Sequence, residues 1–247
     1  MILEQTMQTL RSLKLTGMAE GLERQLEQPD THNLAFEERF GLLVDCEATA
    51  RDNRKLTRFL RQAKFRDQAC IEDIDYRHHR DLNKSQVASL ASSDWIRKQQ
   101  NLCITGPTGC GKTYLACAFG NQACRHGLSV RYLRLPRFLE TLHLAHGDGS
   151  FLRLMNSLSK VDLLILDDWG LHKPSAQDRN DLLELLEDRY GKRATLVASQ
   201  LPVKNWHSFL GDATMADAIL DRLVHNAHKI KLSGESLRKK KHGVDAK

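Results

Sequence analysis

The first part of the chain, to about Lys64, spaces its apolar residues three or four apart, which predicts amphipathic helices. Leu3, Met7 and Leu10 begin this series, and the polar stretch "QPDTHN" at 28–33 predicts a turn. A longer helix is predicted to follow the turn. Its inward-facing residues are expected to be Leu34, Phe36, Phe40, Leu43, Val44 and Ala50.

Beyond Trp95, short apolar runs alternate with helical stretches. The runs are "LCIT", "VRYLRL", "LLIL", "ATLVAS" and "KIKL". Strands that alternate with helices favour a parallel sheet that is covered by helices on both faces. The sequence therefore predicts an α/β fold, with a helical domain at 1–66, a linker at 67–98 and a sheet domain at 99–247.

The composition is that of an ordinary globular protein, with 41% hydrophobic and 28% charged residues among 247. No stretch approaches the roughly eighteen apolar residues of a membrane span. The start "MILEQTMQTLRSL" lacks the pattern of a secretory signal. The six cysteines form no CxxC or Cys/His cluster, which argues against zinc and fits reduced thiols. We therefore expect a cytoplasmic protein with no membrane partner.

Positive charge is concentrated in two blocks, although the formal net charge is only +6. Residues 51–66 hold seven Arg or Lys against one Asp, and the tail from Lys229 holds seven against two. Such blocks favour a polyanionic partner, and helical spacing puts most of the first block on one stripe that suits a DNA backbone. A solvated helix face is the plainer interpretation. The candidate DNA-binding residues are Arg51, Arg54, Lys55, Arg58, Arg61 and Lys64.

Directly after the first predicted strand comes "GPTGCGKT", which matches the phosphate-loop pattern G-x-x-x-x-G-K-[ST]. Glycines let the backbone wrap around phosphate oxygens, and the next helix adds the positive end of its dipole. Lys112 is expected to reach the β- and γ-phosphates of ATP, and the Thr113 hydroxyl to bind Mg²⁺. A glycine-rich turn that happens to hold a lysine is the alternative. The predicted nucleotide-binding residues are Gly106, Pro107, Thr108, Gly109, Cys110, Gly111, Lys112, Thr113 and Tyr114.

A buried-looking strand runs into two adjacent acids in "LLILDDWG". Like charges so close to a core lose solvation and repel each other, and a cation offsets both costs. The stretch resembles the second nucleotide motif of P-loop ATPases, in which Asp167 faces Mg²⁺ and Asp168 polarises the attacking water. The alternative is a strand that ends in a solvated acidic turn.

Three further places are candidates for the catalytic machinery. The strand "ATLVASQLP" ends in Ser199 and Gln200, either of which can orient water or simply end the strand. Arg222 lies on a predicted helix before the last strand, where it is either a surface residue or an arginine finger for a neighbouring copy. Arg238 follows the last strand and either reports the γ-phosphate or belongs to the basic tail.

Together these stretches resemble one family. "ITGPTGCGKTYLACA", "LLILDDWG", "ASQLP", "ADAILDRLVHNAHKIKL" and "GESLR" are similar to motifs of the IstB-like AAA+ ATPases. These are helper proteins encoded by insertion sequences, and they are related to DnaC helicase loaders and DnaA initiators. The resemblance extends to "LKLTGMAEGLERQLEQ" and "IEDIDYR", so it covers essentially the whole chain.

The resemblance implies an AAA+ P-loop NTPase with a five-stranded parallel sheet, preceded by a small all-helical DNA-binding domain. It also implies a homo-oligomer that assembles with ATP on duplex DNA and delivers a target site to a transposase. Asp167 then supports the metal, Asp168 activates water, Arg222 is the trans finger and Arg238 the second sensor. Because the sequence ends soon after Arg238, we expect no carboxy-terminal lid and slow hydrolysis by monomers.

Two other functions remain open. A DnaC-like replicative helicase loader shares nearly every ATPase motif and predicts a preference for single-stranded DNA. A small-molecule P-loop kinase predicts phosphate transfer to a metabolite without stimulation by DNA. The kinase leaves Arg222, Arg238 and the basic block without roles.

Overall fold

The structure, a computed structural model, describes residues 2–28, 31, 33–77 and 80–234. The chain divides into two compact units, residues 1–58 and 59–247. This boundary lies before the predicted junction at 66/67. The predicted linker 67–98 is part of the second unit, and its described residues include two helices.

The first unit is helical, and the second alternates strands with helices. The helices of the first unit are α1 (Ile2–Ser12), α2 (Thr16–Glu27) and α3 (Phe36–Ala63), which continues into the second unit. The second unit then contains α4 (Lys84–Ala91), α5 (Asp94–Arg97), β1 (Asn101–Thr105), α6 (Lys112–Arg125), β2 (Val130–Arg134), α7 (Leu135–Asp148), α8 (Phe151–Lys160), β3 (Leu163–Trp169), α9 (Ala176–Arg189), β4 (Ala194–Ser199), α10 (Trp206–Leu210), α11 (Ala213–Val224) and β5 (Ala227–Lys231). None of the described helices is both long and apolar enough to cross a bilayer.

The five strands form one parallel sheet in the order β2-β3-β4-β1-β5, which confirms the predicted fold. Residues 163–166 of β3 are fully buried, because the strand lies inside the sheet and is covered on both faces. Parallel strands bring their carboxyl ends to one edge. The segments that follow β1, β3 and β4 therefore meet at that edge, since these three strands are neighbours.

Helices α2 and α3 pack through small residues. A Cβ on Gly17 would lie 2.5 Å from the carbonyl oxygen of Cys46, and a Cβ on Gly21 would lie 3.2 Å from Leu43 Cδ2. The two helices therefore approach closely only along this face. The contact fixes which side of α3 turns inward.

The prediction that α3 buries its whole apolar series is wrong. Phe36 is 74% exposed, and Leu34, Phe40 and Val44 are exposed as well. Of the predicted residues, Leu43 and Ala50 do lie on the inward side, which they share with Cys46 and Glu47 in the packing against α2. Successive side chains on a helix point in directions about 100° apart, so residues one position away from the inward side point toward solvent.

Glu47 is a buried carboxylate that connects α3 to the start of α2. Its Oε2 accepts hydrogen bonds from the backbone N–H groups of Gly17 (2.8 Å) and Met18 (3.3 Å), which otherwise lack a side-chain cap. Its Oε1 accepts from Arg51 Nε (2.7 Å) and Arg54 Nη2 (3.1 Å). The hydrogen bond from Arg51, with those of the backbone, lowers the pKa of Glu47. Two of the predicted DNA-binding arginines therefore also neutralise a buried acid.

Candidate functional site

The phosphate loop joins the end of β1 to the start of α6, the strand and helix that the sequence predicts on either side of it. Gly111 has a φ of 95°, a conformation that favours glycine. Gly106 has no room for a side chain, because an added Cβ would lie 2.5 Å from the carbonyl oxygen of Leu232. The Lys112 ammonium donates to the carbonyl oxygens of Gly106 (2.8 Å) and Pro107 (2.6 Å), so it lies inside the loop.

Asp167 lies beside this loop and is only 1% exposed. Its Oδ2 accepts hydrogen bonds from the hydroxyls of Thr113 (2.7 Å) and Tyr132 (2.7 Å), and its Oδ1 accepts from the backbone N–H of Asp168 (2.8 Å). Three donors therefore satisfy a charge that burial would otherwise penalise. Burial and the neighbouring Asp167 raise the pKa of Tyr132, so its hydroxyl stays protonated and donates.

Asp168 departs from the regular strand. The pairing of β3 with β4 shifts its register between Leu166 and Trp169, and Asp168 has a φ of 61°, which is unusual outside glycine. Its Oδ2 accepts from Arg134 Nε at 2.7 Å. The two adjacent acids thus have different partners: hydroxyl and amide donors hold Asp167, and an arginine holds Asp168.

Tyr132 and Arg134 are site residues that sequence reasoning missed. Both belong to β2, which pairs in parallel with β3 so that Arg134 lies opposite Asp167. Side chains alternate along a strand, so Tyr132 and Arg134 share one face in "VRYLRL". That alternation is the usable signal. It becomes informative only when the strand order places β2 next to the two acids.

A cleft of about 780 Å³ lies over the phosphate loop. Its lining includes Thr108, Lys112, Thr113, Tyr114 and Asp168 from the predicted set. Another part of the wall comes from the segment before α4, which contributes Arg66, Asp67, Gln68, Asp73, Asp75 and Arg80. Sequence reasoning assigned most of that segment to a linker and missed its contribution to the site.

Arg80 connects this segment to the loop. It is 7% exposed, its Nη2 donates to the carbonyl oxygen of Asp75 (2.6 Å), and its Nη1 lies 3.5 Å from the carbonyl oxygen of Cys110. Within the described part of the chain, its Nε makes no hydrogen bond. Arg80 therefore adds a second buried cation, besides Lys112, to the lining of the cleft.

Ser199 and Gln200 do not share the same surroundings. Ser199 is fully buried, and its hydroxyl donates to the carbonyl oxygen of Trp169 (2.6 Å) and accepts from the N–H of Leu201 (3.0 Å). Gln200 lines the cleft, and its Oε1 accepts from the Thr108 hydroxyl (2.8 Å). Gln200 is therefore the better placed of the two to meet a ligand, and its role as a sensor stays a prediction.

The cleft fits a magnesium nucleotide. A cleft of this volume is large enough for a nucleotide. The Thr113 hydroxyl and the Asp167 carboxylate lie 2.7 Å apart, and both are the hard oxygen donors that Mg²⁺ prefers. Lys112, Arg80 and Arg134 add the positive charge that phosphates require.

Arg222 lies at the opposite end of the strands from the phosphate loop, next to the first residue of β1. Its carbonyl oxygen accepts from Nδ2 of Asn101, the first residue of β1, whereas the phosphate loop follows the last residue of that strand. A five-residue strand spans roughly 13 Å. Arg222 Nε donates to Glu187 Oε2 (2.6 Å), and the guanidinium carbon lies 5.9 Å from the ring centroid of Tyr190. The hydrogen bond to Glu187 raises the pKa of Arg222.

All six candidate DNA-binding residues on and after α3 are exposed. Arg51 and Arg54 are held by Glu47, as described above. Lys64 follows the last residue of the helix and has a φ of 55°. Arg238 and the rest of the basic tail after Gly234 lie outside the described residues.

A model of the family described as "IstB-like ATP binding protein" matches residues 8–244. The chain is 51% identical over 239 residues to the insertion-sequence ATP-binding protein y4pL of Sinorhizobium fredii, across 97% of this chain and 98% of that protein. It is 53% identical over 203 residues to the ATP-binding protein of insertion sequence IS1162 from Pseudomonas fluorescens, across 82% of this chain and 88% of that protein.

Solved structures share the fold at lower identity. DnaI has a TM-score of 0.59 at 21% identity, over 67% of this chain and 91% of that chain. The DnaC helicase loader has a TM-score of 0.52 at 17% identity, over 66% and 96%. DnaA bound to AMPPCP and single-stranded DNA has a TM-score of 0.55 at 16% identity, over 74% and 58%. The fold is thus that of AAA+ ATPases, and the family match and the two insertion-sequence relatives show that the chain belongs to the IstB-like ATP-binding proteins.

Proposed function

We propose that this chain is an ATP-dependent, DNA-binding transposition helper. It binds ATP with Mg²⁺ and hydrolyses it, oligomerises on duplex target DNA, and delivers that DNA to a partner transposase. The observation that carries the proposal is the distance between the two halves of the catalytic machinery. The carboxyl ends of the strands bring together Lys112, Thr113, Asp167 and Asp168, whereas Arg222 lies at the amino end of β1.

Hydrolysis is assigned to Asp168. Arg134 binds its Oδ2, and within the described residues no hydrogen bond reaches its Oδ1, so that oxygen can accept a proton from water. The bond from Arg134 fixes the carboxylate of Asp168 and leaves Oδ1 as the oxygen that meets the water. Thr113 and Asp167 would hold Mg²⁺, which when bound offsets the charge of the phosphates. Gln200, which also lines the cleft, orients the water.

A neighbouring copy completes the site. Arg222 points at Glu187 and Tyr190 beside the start of β1, about a strand length from the phosphate loop of its own chain. A second copy that docks this edge against the cleft brings Arg222 to the phosphates, where a guanidinium stabilises the charge of the transition state. ATP then connects neighbouring copies, and isolated chains hydrolyse it poorly.

DNA binding is assigned to the cations of α3 and the residues after it. The stripe is exposed and strongly basic, and it contains no set of Asn or Gln that suits base recognition. We expect contacts to the DNA backbone with weak sequence preference. The names of the relatives, which place them in insertion sequences, support target DNA and a transposase as partners.

The direct test is particle mass in solution, measured with a slowly hydrolysed ATP analogue and with duplex or single-stranded DNA. We expect oligomers that require the analogue and that prefer the duplex. A particle that stays a single copy under every condition would contradict the proposal. Preference for single strands would favour a helicase loader instead. Phosphate transfer to an added metabolite without DNA stimulation would favour a kinase.

A further inference from the structure

Glu187, which binds the proposed finger Arg222, has no role yet in the fold or in the proposed reaction. We propose that Glu187 is a positioning residue, which holds the guanidinium of Arg222 in the orientation that a neighbouring copy's nucleotide needs. This inference rests on the proposed function, because it assumes that Arg222 acts in trans. It adds a residue on a different helix, α9, to the shared site.

The geometry of the guanidinium carries the inference. Nε of Arg222 donates to Glu187 Oε2 at 2.6 Å, and Nη1 lies 3.3 Å from the carbonyl oxygen of Ala218 and 3.4 Å from Asp221 Oδ2. Within the described residues, Nη2 makes no hydrogen bond. Glu187 therefore occupies the Nε donor of the guanidinium and leaves the Nη2 donor for a phosphate oxygen. Tyr190 lies beside the guanidinium and restricts it further.

Glu187 belongs to a rigid part of α9. The helix ends at Arg189, which is 1% exposed. The Arg189 guanidinium donates to the carbonyl oxygens of Leu158 (2.6 Å), Val161 (2.9 Å) and Ala194 (2.5 Å). These bonds fix the last turn of α9 to the segments that enter β3 and β4. A carboxylate on that turn has a fixed backbone from which to hold another side chain.

The helix that carries Arg222 is fixed at the same edge. The Nδ2 group of Asn101 donates to the carbonyl oxygens of Arg222 (2.8 Å) and Leu223 (3.1 Å). The Oδ1 atom of Asn101 accepts from the N–H of Thr195 at the start of β4 (2.9 Å). Both backbones of the pair are therefore anchored to the sheet. The remaining freedom is that of the long Arg222 side chain, and Glu187 removes it.

An ordinary surface ion pair is the competing explanation. Glu187 is 56% exposed in its side chain and Arg222 is 27% exposed, and exposed pairs contribute little to stability. The two explanations differ in what they predict for hydrolysis. A surface pair affects neither the turnover rate nor its dependence on Arg222, whereas a positioning residue affects both.

The test compares Glu187→Ala, Glu187→Gln and the matched control Glu184→Ala, an exposed acid one turn earlier on the same helix. In DNA-bound assemblies we expect Glu187→Ala to lower kcat roughly tenfold with KM for ATP unchanged, because misplaced groups slow chemistry more than binding. Glu187→Gln should recover most of the rate, since its amide oxygen still accepts from Nε. Glu184→Ala should match the wild type.

Two further measurements keep the inference falsifiable. The Nε–H signal of Arg222 in nucleotide-free protein, identified by its loss in Arg222→Ala, should shift in Glu187→Ala and persist in Glu187→Gln. The double variant Glu187→Ala/Arg222→Ala should be no slower than Arg222→Ala alone, because Glu187 acts only through Arg222.

The outcomes separate this inference from the proposed function. If Arg222→Ala hydrolyses ATP normally, the shared site itself is wrong. If Arg222→Ala is slow while Glu187→Ala behaves like Glu184→Ala, the shared site stands and the positioning role is overturned. Additive losses in the double variant, or an unchanged Arg222 signal in Glu187→Ala, would also overturn it.

Discussion

The nucleotide cleft and the basic helix α3 both stand out in the sequence through their charged residues, but they differ in how those charges are used. In the cleft, Lys112 lies inside its loop and Thr113 contacts Asp167. On α3, Arg51 and Arg54 bind the internal carboxylate Glu47. A motif specifies a backbone conformation together with its residues. A run of charge specifies only a composition, and local acids then decide which cations remain for a partner.

The largest difference between the two regions should appear when Lys112 is replaced by Ala. The ammonium is the cation inside the phosphate loop, so its loss should weaken ATP binding by at least about a hundredfold. ATP-dependent assembly should vanish with it. Nucleotide titration and particle mass measure both effects, with Lys160→Ala as an exposed control. Assembly that persists in Lys112→Ala would show that the phosphate loop is not required for assembly.

Asp168→Asn should separate binding from chemistry. The amide cannot accept the proton of water, so we expect hydrolysis to fall roughly 10²- to 10³-fold while ATP binding persists. Complexes on duplex DNA should then live longer, because the nucleotide that joins the copies is not consumed. Steady-state phosphate release and DNA dissociation measure the two effects. Normal hydrolysis by this variant would show that another group activates the attacking water.

Glu47→Gln tests the internal use of the basic helix. The pKa of Glu47 is lowered in the fold, so its contribution to stability is present above its ordinary value of 4.5 and is lost as pH falls through the lowered pKa. We expect the variant to lose roughly 5 °C in melting temperature at pH 7. The difference from the wild type should shrink in acid. An equal difference at every pH would show that the charge of Glu47 is irrelevant.

The smallest effect should come from exposed cations of the same region. Replacing both Arg61 and Lys64 with Gln should weaken duplex binding. The slope of log K for DNA binding against log salt concentration should become shallower by up to about 1.8, because each neutralised phosphate contributes roughly 0.9. Arg51→Gln should reduce the slope less, because the Arg51 side chain of the wild type already binds Glu47. Salt titrations of DNA affinity measure both. An unchanged slope in the double variant would move the DNA site elsewhere.

Much of the fold and the core of the site could be predicted from sequence. The runs "LLIL" and "ATLVAS" lie within β3 and β4, and the phosphate loop follows β1, because these features depend on neighbours along the chain. Arg134 and Glu187 could not be predicted, since each acts on a residue more than thirty positions away. The exposed Phe36 and Phe40 were misassigned because the close approach at Gly17, and not hydrophobicity, chooses the buried face of α3.

The central claim is that one nucleotide site is shared by two copies, and mixing two inactive variants tests it most directly. Arg222→Ala retains an intact cleft, and Asp168→Asn retains an intact finger. Alone, each should hydrolyse ATP slowly on duplex DNA. Mixed at equal amounts, they should recover roughly a quarter of wild-type hydrolysis, because about a quarter of random interfaces join the two intact halves. No recovery at any ratio would contradict the account.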